Sequence, residues 1–264
     1  MNEIVKYRNE MNAVNFTRFK AVELDLLLSI CAKIRDQGTE TVVYSFDQLK
    51  ALSKYSFEGN KRFVKDLETA YDKMLGLNFK IGDDENFVKF VLFTQYEVNS
   101  RNRTITISVN QKFSFVLNDL TANFTRFELA EFVDLKSTYS KNLYRLLKQY
   151  KSTGHLYLSI DEFRAKLDIP VSYEMRDINK TVLAPITREL APLFEGFKIE
   201  KVKNMQKRGH PVTQINFTFK PQPVPGYVRE AVERFEHEKQ PKYDADFDQR
   251  TYTDEQLNSI KFDF

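Results

Sequence analysis

An α+β protein built from two similar halves is predicted, and the main observation is a set of repeated phrases. Three pairs of phrases occur in the same order in each half: residues 15–19 and 123–127, 45–51 and 159–165, and 79–81 and 197–199. The first pair is identical, with Asn-Phe-Thr-Arg-Phe in both copies. The distance between the two copies of a phrase grows slowly from the first pair to the third. Matches in the same order with this slow growth indicate one fold used twice, with small insertions in the second copy.

Helix and strand patterns follow one another in a definite order in the first half. Apolar residues at three- and four-residue steps predict a helix over residues 17–35, and a short strand follows at 41–44. Ser45 and Gln48 then form a capping box that starts a second helix. A third helix is predicted over residues 60–75, where one side is apolar and the other is basic in its first two turns.

Strand-like runs at 77–81 and 87–93 complete this half, joined by the acidic turn Gly82-Asp83-Asp84-Glu85. Three helices, a short strand and a hairpin in this order predict a winged helix, in which one helix enters the major groove of DNA. A further run at 104–109 alternates polar and apolar residues and has no visible counterpart in the second half. We expect it either to leave a pairable edge, which favours dimerisation through this half, or only to widen the sheet.

Similar elements recur in the second half. Residues 111–120 are predicted to link the halves as a helix, and the next helix is predicted over 126–133. Ser137 is expected to cap the following helix, and Ser159 with Glu162 forms another capping box. The repeated order predicts a second winged helix.

In each predicted winged helix, we call the helix that would enter the major groove the reading helix. The reading helix of the second half contains a proline. It begins near Asp177, and Pro185 lies inside its apolar pattern. A proline within a helix removes a hydrogen bond at a cost of about 3 kcal/mol, so the helix either bends at Pro185 or begins later. A hairpin with strands at 197–202 and 212–219 is predicted to form the second wing.

Three segments follow from these patterns and from the charge distribution. Residues 1–110 are predicted to form a domain for dimerisation and DNA contact, and residues 111–220 the main DNA-binding domain. Residues 221–264 hold 6 Lys and Arg against 10 Asp and Glu, which predicts an acidic tail that is partly helical or disordered. Because the whole chain carries +3 and the tail −4, the other residues carry +7. A basic body suits a polyanionic partner, although an ordinary soluble surface has the same composition.

Basic, amide and hydroxyl side chains at helix starts, on one helix face and on the second wing are the candidate DNA-binding residues. Arg bonds guanine and Asn bonds adenine in the major groove, while Lys and Arg neutralise phosphates. The candidates are Lys61, Arg62, Lys65, Lys141, Arg145, Arg176, Asn179, Lys180, Thr181, Lys203, Lys207 and Arg208. For the helix faces, the alternative is that the charges only meet solvent.

The two predicted wing tips differ in charge. Asp83 and Asp84 should be repelled by phosphates, whereas Lys207 and Arg208 should be attracted to them. We therefore expect the second half to bind DNA more strongly than the first. Alanine at Lys207 and Arg208 should weaken binding more than changes at Asp83 and Asp84.

Several function classes lack their motifs in this sequence. No GxxxxGK[ST] loop is present, which argues against an ATPase. His155, His210 and His237 are far apart, with neither a His-x-His pair nor an HExxH motif, so no catalytic residue, metal site or cofactor is predicted. The single Cys31 and the polar N-terminus predict a cytoplasmic protein without membrane contact.

A set of phrases covering roughly residues 4–220 resembles one protein family. The phrases are 5–9 (VKYRN), 124–129 (FTRFEL), 143–150 (LYRLLKQY), 161–164 (DEFR), 167–170 (LDIP) and 182–186 (VLAPI). In this order they resemble the initiator replication proteins of iteron-containing, theta-replicating plasmids. The resemblance implies tandem winged helices that bind directly repeated origin DNA as a monomer, and dimers that repress the initiator's own gene. It also implies host partners, such as an initiator, helicase or primase, for melting and helicase loading.

Other functions stay open from the residues alone. A winged-helix transcriptional repressor without a role in replication would show the same folds. A metal-dependent DNA nicking enzyme and a protein–protein adaptor are two further alternatives. The resemblance favours a replication initiator that is not an enzyme.

Overall fold

The computed structural model describes residues 3–12, 14, 16, 18–34, 41–82, 85–110 and 124–222. The predicted linker helix at 111–120, the acidic residues Asp83 and Asp84, and nearly all of the acidic tail lie outside these residues. The domain boundary between residues 110 and 111 stays a prediction, since it falls where the description stops.

Helices and strands alternate through the first half. Its elements are β1 (Ile4–Arg8), a 3-10 turn (Asn9–Asn12), α1 (Ala21–Ile34), β2 (Val42–Ser45), α2 (Phe46–Leu52), α3 (Asn60–Leu75), β3 (Asn78–Gly82), β4 (Phe87–Val91), β5 (Phe93–Asn99) and β6 (Thr104–Val109). The capping box before α2 is confirmed, because the Gln48 N–H donates to Ser45 Oγ and the Ser45 N–H donates to Gln48 Oε1. Reciprocal bonds of this kind satisfy donors that a helix start leaves unpaired.

A second set of elements follows residue 123. They are β7 (Phe124–Glu128), α4 (Leu129–Asp134), α5 (Thr138–Gln149), β8 (His155–Ser159), α6 (Ile160–Leu167), α7 (Met175–Asp177), a π-helical turn (Ile178–Leu183), α8 (Ala184–Leu190), β9 (Lys198–Lys203) and β10 (Val212–Thr218). The predicted Ser159 and Glu162 capping box is confirmed before α6. The α+β fold class and the tandem arrangement of two winged helices are therefore confirmed.

The π-helical turn explains how the second reading helix contains Pro185. The helical path is continuous from Met175 to Leu190, and Pro185 lies in the first turn of α8. A proline inside a helix cannot donate a backbone hydrogen bond, and its ring clashes with the preceding turn. The wider π turn before Pro185 makes room for the ring. The candidate residues Asn179, Lys180 and Thr181 lie on this wide turn.

The described part of the second half starts with a strand. The prediction of a helix over residues 126–133 therefore places the start of that helix too early. Phe124–Glu128 pairs antiparallel with Ile4–Arg8, and the helix begins only at Leu129. Buried and more exposed residues alternate along this strand. The partner strand comes from the opposite end of the chain, and local periodicity does not reveal such a pairing.

Strand order shows which parts of the two domains are equivalent. The orders are β2-β6-β5 in the first domain and β8-β10-β9 in the second. Ile105 of β6 lies opposite Tyr44, and Ile215 of β10 lies opposite Leu158. The expectation that residues 104–109 have no counterpart is therefore wrong, because β6 is the central strand. It pairs on both sides and leaves no edge, so this reason for dimerisation through the first half does not hold.

The first predicted wing is a separate element. β3 and β4 pair only with each other among the described strands. The true wing of the first domain is the β5–β6 hairpin, since β5 takes the place of β9 beside the central strand. The match between residues 79–81 and 197–199 is consequently wrong as a structural equivalence. A short sequence match between two strands does not show which sheet each strand joins.

One apolar core runs through both domains. In the first, α1 packs on α3, and in the second, α5 packs on α8. Helix α1 also contacts α4, and the β1–β7 sheet adds hydrogen bonds between the halves. Burial of this kind gives most of the stability of a fold. The two reading helices are thus held on a continuous scaffold.

Candidate nucleic-acid interface

Helix α3 presents the first group of predicted DNA-binding residues to solvent. Lys61, Arg62 and Lys65 are all exposed in its first two turns. Gly59 occupies the N-cap position and gives no side-chain hydrogen bond to the first turn. Backbone N–H groups and the positive end of the helix dipole therefore face solvent beside these cations, which is an arrangement that attracts phosphate.

Arg62 is held in place by two neighbours. Its guanidinium lies over the Phe57 ring at 3.5 Å from the ring centroid, and its Nε is 3.9 Å from Asp66 Oδ2. The side chain remains 56% exposed. A stacked guanidinium keeps its remaining donors in a fixed direction, so less rotamer entropy is lost when it bonds an acceptor.

The second reading helix presents a similar exposed group. Arg176, Asn179, Lys180 and Thr181 are exposed, and the Arg176 side chain is 88% exposed. Lys201 of β9 donates to Asn179 Oδ1 at 3.1 Å, which joins the wing to the reading helix. Base-reading donors and acceptors on a helix start beside a wing are typical of winged-helix proteins bound to DNA.

Both wings carry cations, which corrects the predicted contrast between them. The turn of the first wing, residues 100–103, holds Arg101 and Arg103, and both are exposed. Arg103 pairs with Asp47 at 2.8 Å. β3 ends at Gly82 and β4 begins at Phe87, and these strands pair with each other, so the predicted acidic turn belongs to a different pair of strands from the β5–β6 wing. The expectation that DNA phosphates repel the first wing therefore does not apply to the β5–β6 hairpin.

The second wing has the longer tip. Lys203, Lys207 and Arg208 are exposed, as predicted for residues that approach phosphates. The His210 N–H donates to the Lys207 carbonyl at 3.0 Å, and Gly209 has φ +80°, which closes the turn between the strands. Whether these side chains contact DNA stays a prediction.

Lys141 begins a basic stripe on one face of α5 that is predicted to meet either the DNA backbone or solvent, and the structure contradicts both placements. Its side chain is 0% exposed and its Nζ donates to Asp25 Oδ1 at 2.5 Å and to the Phe132 carbonyl at 2.7 Å. The ion pair joins α5 to α1 of the first half. Burial raises the pKa of Asp25 to about 7 and lowers the pKa of Lys141, although each partner favours the other's charge.

Arg145, the second member of this stripe, is also buried. Its guanidinium lies 4.2 Å from the Phe16 ring centroid, and burial lowers its pKa. Lys148 continues the stripe and pairs with Glu131 at 2.9 Å. A basic face predicted to meet solvent or DNA instead packs inside the protein, because Asp25 and Phe16 of the first half cover Lys141 and Arg145. Lys141 and Arg145 are therefore removed from the candidate DNA-binding set.

A polar network beside these cations was not foreseen. Tyr7 donates to Asn12 Oδ1 at 2.9 Å, and Asn12 Nδ2 donates to Thr125 Oγ1 at 2.8 Å and to Gln149 Oε1 at 3.0 Å. Thr125 in turn donates to Asn9 Oδ1 at 2.8 Å. Buried polar groups that satisfy one another fix a single arrangement of the elements that carry them. The two halves are joined by specific bonds as well as by apolar packing.

One missed candidate had a readable signal. Arg101 lies in an Asn-Ser-Arg-Asn-Arg turn between two alternating runs, which is a hairpin pattern. Lys201 had no such signal, because its contact with Asn179 depends on how the sheet meets the helix.

No group of three or more His, Cys, Asp or Glu side chains is placed to hold a metal ion within the part of the chain that the structure describes. In that same part, every helix is too short or too polar to cross a bilayer.

Comparison with known proteins gives matches across both domains. The family described as "Initiator Replication protein, WH1" matches residues 4–148, and "Initiator Rep protein, WH2" matches residues 159–219. "Probable replication protein rep" from Bifidobacterium longum (strain NCC 2705) is 43% identical over 203 residues, which are 76% of this chain and 68% of that protein.

A solved structure shows the same fold. The structure titled "Crystal structure of Pi initiator protein in complex with iteron DNA" aligns over 84% of this chain and 99% of that chain, with a TM-score of 0.66 and 14% identity. The resemblance drawn from the sequence is confirmed by these matches. The chain belongs to the initiator replication protein family.

Proposed function

We propose that this initiator binds directly repeated sequences of a plasmid origin through both winged helices and recruits host replication proteins there. One observation carries the proposal. Each domain presents an exposed reading helix beside a cationic wing, on a scaffold where the β1–β7 sheet and the Lys141–Asp25 pair tie the two halves together. The protein acts by binding rather than by catalysis, and its place of action is then the cytoplasm, where plasmid DNA is replicated.

The scaffold supports contact with two turns of one duplex. Reading helices on one face of B-DNA sit about one turn, roughly 10 bp, apart. Exposed lysines and arginines at both helix starts and both wings would give roughly 6–10 phosphate contacts, and binding should then fall steeply with salt. The proposed contacts are Lys61, Arg62, Lys65, Arg101, Arg176, Asn179, Lys180, Thr181, Lys203, Lys207 and Arg208.

Two similar proteins support the proposal that this chain binds origin DNA. The Bifidobacterium longum protein is named as a probable replication protein, and the Pi initiator was solved with iteron DNA. An initiator built without an ATPase loop would depend on host proteins for melting and helicase loading.

Footprinting the purified chain across its own upstream region tests the proposal. We expect protection of tandem direct repeats, with about two helical turns covered at each repeat. Protection of a lone palindrome would instead support a transcriptional repressor. Relaxation of supercoiled origin DNA in the presence of Mg²⁺ would establish a nicking enzyme and overturn the proposal.

We further propose that the chain dimerises and then represses its own gene. The outer strands β2 and β5 are the edges of the first-domain sheet, and the Val43 side chain on β2 is 59% exposed. Such an edge can pair with a second copy. Sedimentation across a range of concentrations should show a monomer–dimer equilibrium that Val43→Lys shifts toward monomer. A single species at all concentrations would contradict dimerisation.

A further inference from the structure

The hydrogen bond between Lys201 and Asn179 restricts how the second reading helix can read a base. Lys201 Nζ lies 3.1 Å from Asn179 Oδ1. An ammonium group only donates hydrogen bonds, so the atom of the Asn179 amide that faces it must be the oxygen. The amide orientation therefore follows from chemistry, and the Nδ2 group is left to face away from the lysine.

The register of the wing explains why Lys201 reaches the helix. Lys201 lies opposite Ile215 on the neighbouring strand, and Ile215 is fully buried. Directly opposed residues point to the same face of a sheet, so the Lys201 side chain extends on the face that packs against the helices. Lys198, Glu200 and Val202 alternate with it and belong to the other face.

We propose that Lys201 makes Asn179 a hydrogen-bond donor to the base, so that the position it reads is guanine rather than adenine. The inference rests on the proposed function, since it names the base read by that same site. Asparagine normally recognises adenine by accepting from N6 and donating to N7. With the ammonium on Oδ1, the amino group of adenine would approach a positive charge. Guanine presents the acceptors O6 and N7 instead, and both suit the outward Nδ2 group.

The remaining donors of Lys201 add a second effect. An ammonium has three N–H groups and the bond to Asn179 uses one. The others can bond a phosphate or a water beside the groove. Loss of the lysine therefore weakens binding in general and also changes the base preference at a single position, and only the second effect reports on Asn179.

The test is a base-preference profile on origin repeats. Affinities are measured for the wild-type chain on duplexes that carry each single base-pair substitution of the repeat. Asn179→Ala should flatten the preference at one position, which identifies the base that Asn179 reads. The wild-type chain should prefer guanine there, and Lys201→Met should reduce the preference for guanine over adenine by about fivefold or more.

Three further variants separate this role from general electrostatics. Lys201→Arg keeps a donor and should keep the preference. Lys198→Met removes a charge from the same strand on its other face, and should lower affinity equally on all duplexes. In the Asn179→Ala background, Lys201→Met should produce no further change in base preference.

Several outcomes would overturn the inference. A uniform loss of affinity in Lys201→Met, an adenine preference at the position that Asn179 reads, or a profile that Asn179→Ala leaves unchanged would each do so while leaving origin binding intact. Failure of the wild-type chain to bind the repeats would overturn the proposed function as well, so the two failures are distinguishable.

Discussion

The basic faces of α3 and α5 have similar sequence patterns, but one is exposed and the other is buried. Lys61 and Lys65 lie four residues apart on α3 and are exposed, while Lys141 and Arg145 lie four residues apart on α5 and are buried. Helical spacing shows that such charges share a face, but it does not show what covers that face. The difference arises because α5 lies under the first half of the chain.

The buried face has a different physical role from the exposed one. Lys141 pairs with Asp25 across the two halves, and Arg145 stacks on Phe16, also from the first half. A buried cation requires a partner, because desolvation costs several kcal/mol per ion. The cations of α5 therefore hold the domains together, while those of α3 are available to a ligand.

The largest expected effect follows from removing a buried cation. At a pH above 7, where Asp25 is ionised, Lys141→Ala leaves that carboxylate without its partner inside the protein and should lower the free energy of unfolding by about 3–5 kcal/mol. Urea denaturation measures this change. Lys61→Ala on the exposed face is the matched control and should stay within about 0.5 kcal/mol of the wild type.

A double replacement separates loss of the pair from loss of volume. Lys141→Met with Asp25→Leu removes both charges and keeps the site filled, so it should recover much of the lost stability. Equal urea midpoints for Lys141→Ala and Lys61→Ala would contradict the contrast between the two faces.

The pH dependence of stability gives the next largest effect. Burial raises the pKa of Asp25 to about 7, from a usual value of 3.8. Between these values the folded chain holds a proton that the unfolded chain has released. This contribution to stability is fully present below pH 3.8 and is lost as the pH rises through about 7.

Comparison with Asp25→Asn isolates this contribution, because an amide does not titrate. Relative to that variant, the free energy of unfolding of the wild type should fall by about 1 kcal/mol for each pH unit between pH 4 and 7. Urea titrations at several pH values measure the slope. A difference between the two chains that stays constant over this range would refute the role given to Asp25.

Local signals in the sequence gave reliable local structure. Ser45 with Gln48 and Ser159 with Glu162 were readable as capping boxes, since all the atoms involved lie within four residues. The apolar faces of α1, α3 and α5 were readable from periodicity for the same reason. Exposure of Lys61, Arg62 and Arg176 was also correctly expected.

Features that depend on distant partners were misread. The place of β6 in the middle of its sheet depends on β2 and β5, and the strand at Phe124–Glu128 depends on β1. The burial of Lys141 likewise depends on Asp25, far away in sequence. Periodicity identifies an element but does not select its neighbours, and this explains why the first wing was assigned to the wrong hairpin.

A double variant on α3 sharpens the comparison in terms of binding. Lys61→Ala with Lys65→Ala should leave unfolding unchanged and lower the slope of log affinity against log salt by about 2, since each phosphate contact contributes about 0.9. Titrations of origin DNA at several salt concentrations measure the slope. Lys54→Ala is a suitable control, because Lys54 is exposed but already pairs with Asp134. An unchanged slope in the double variant would mean that α3 only meets solvent.

The smallest expected effect concerns the first wing, where the same contrast appears between two neighbouring arginines. Arg103 pairs with Asp47 at 2.8 Å, whereas no ion pair joins Arg101 to any other residue that the structure describes. Arg101→Ala should therefore lower the salt slope by about 1, and Arg103→Ala should change it less, since its charge is already balanced. The same salt titrations measure both variants. If Arg103→Ala had the larger effect on the slope, an ion pair in the free protein would not predict which cation reaches the phosphates. The contrast between paired and unpaired cations would then not hold at this wing.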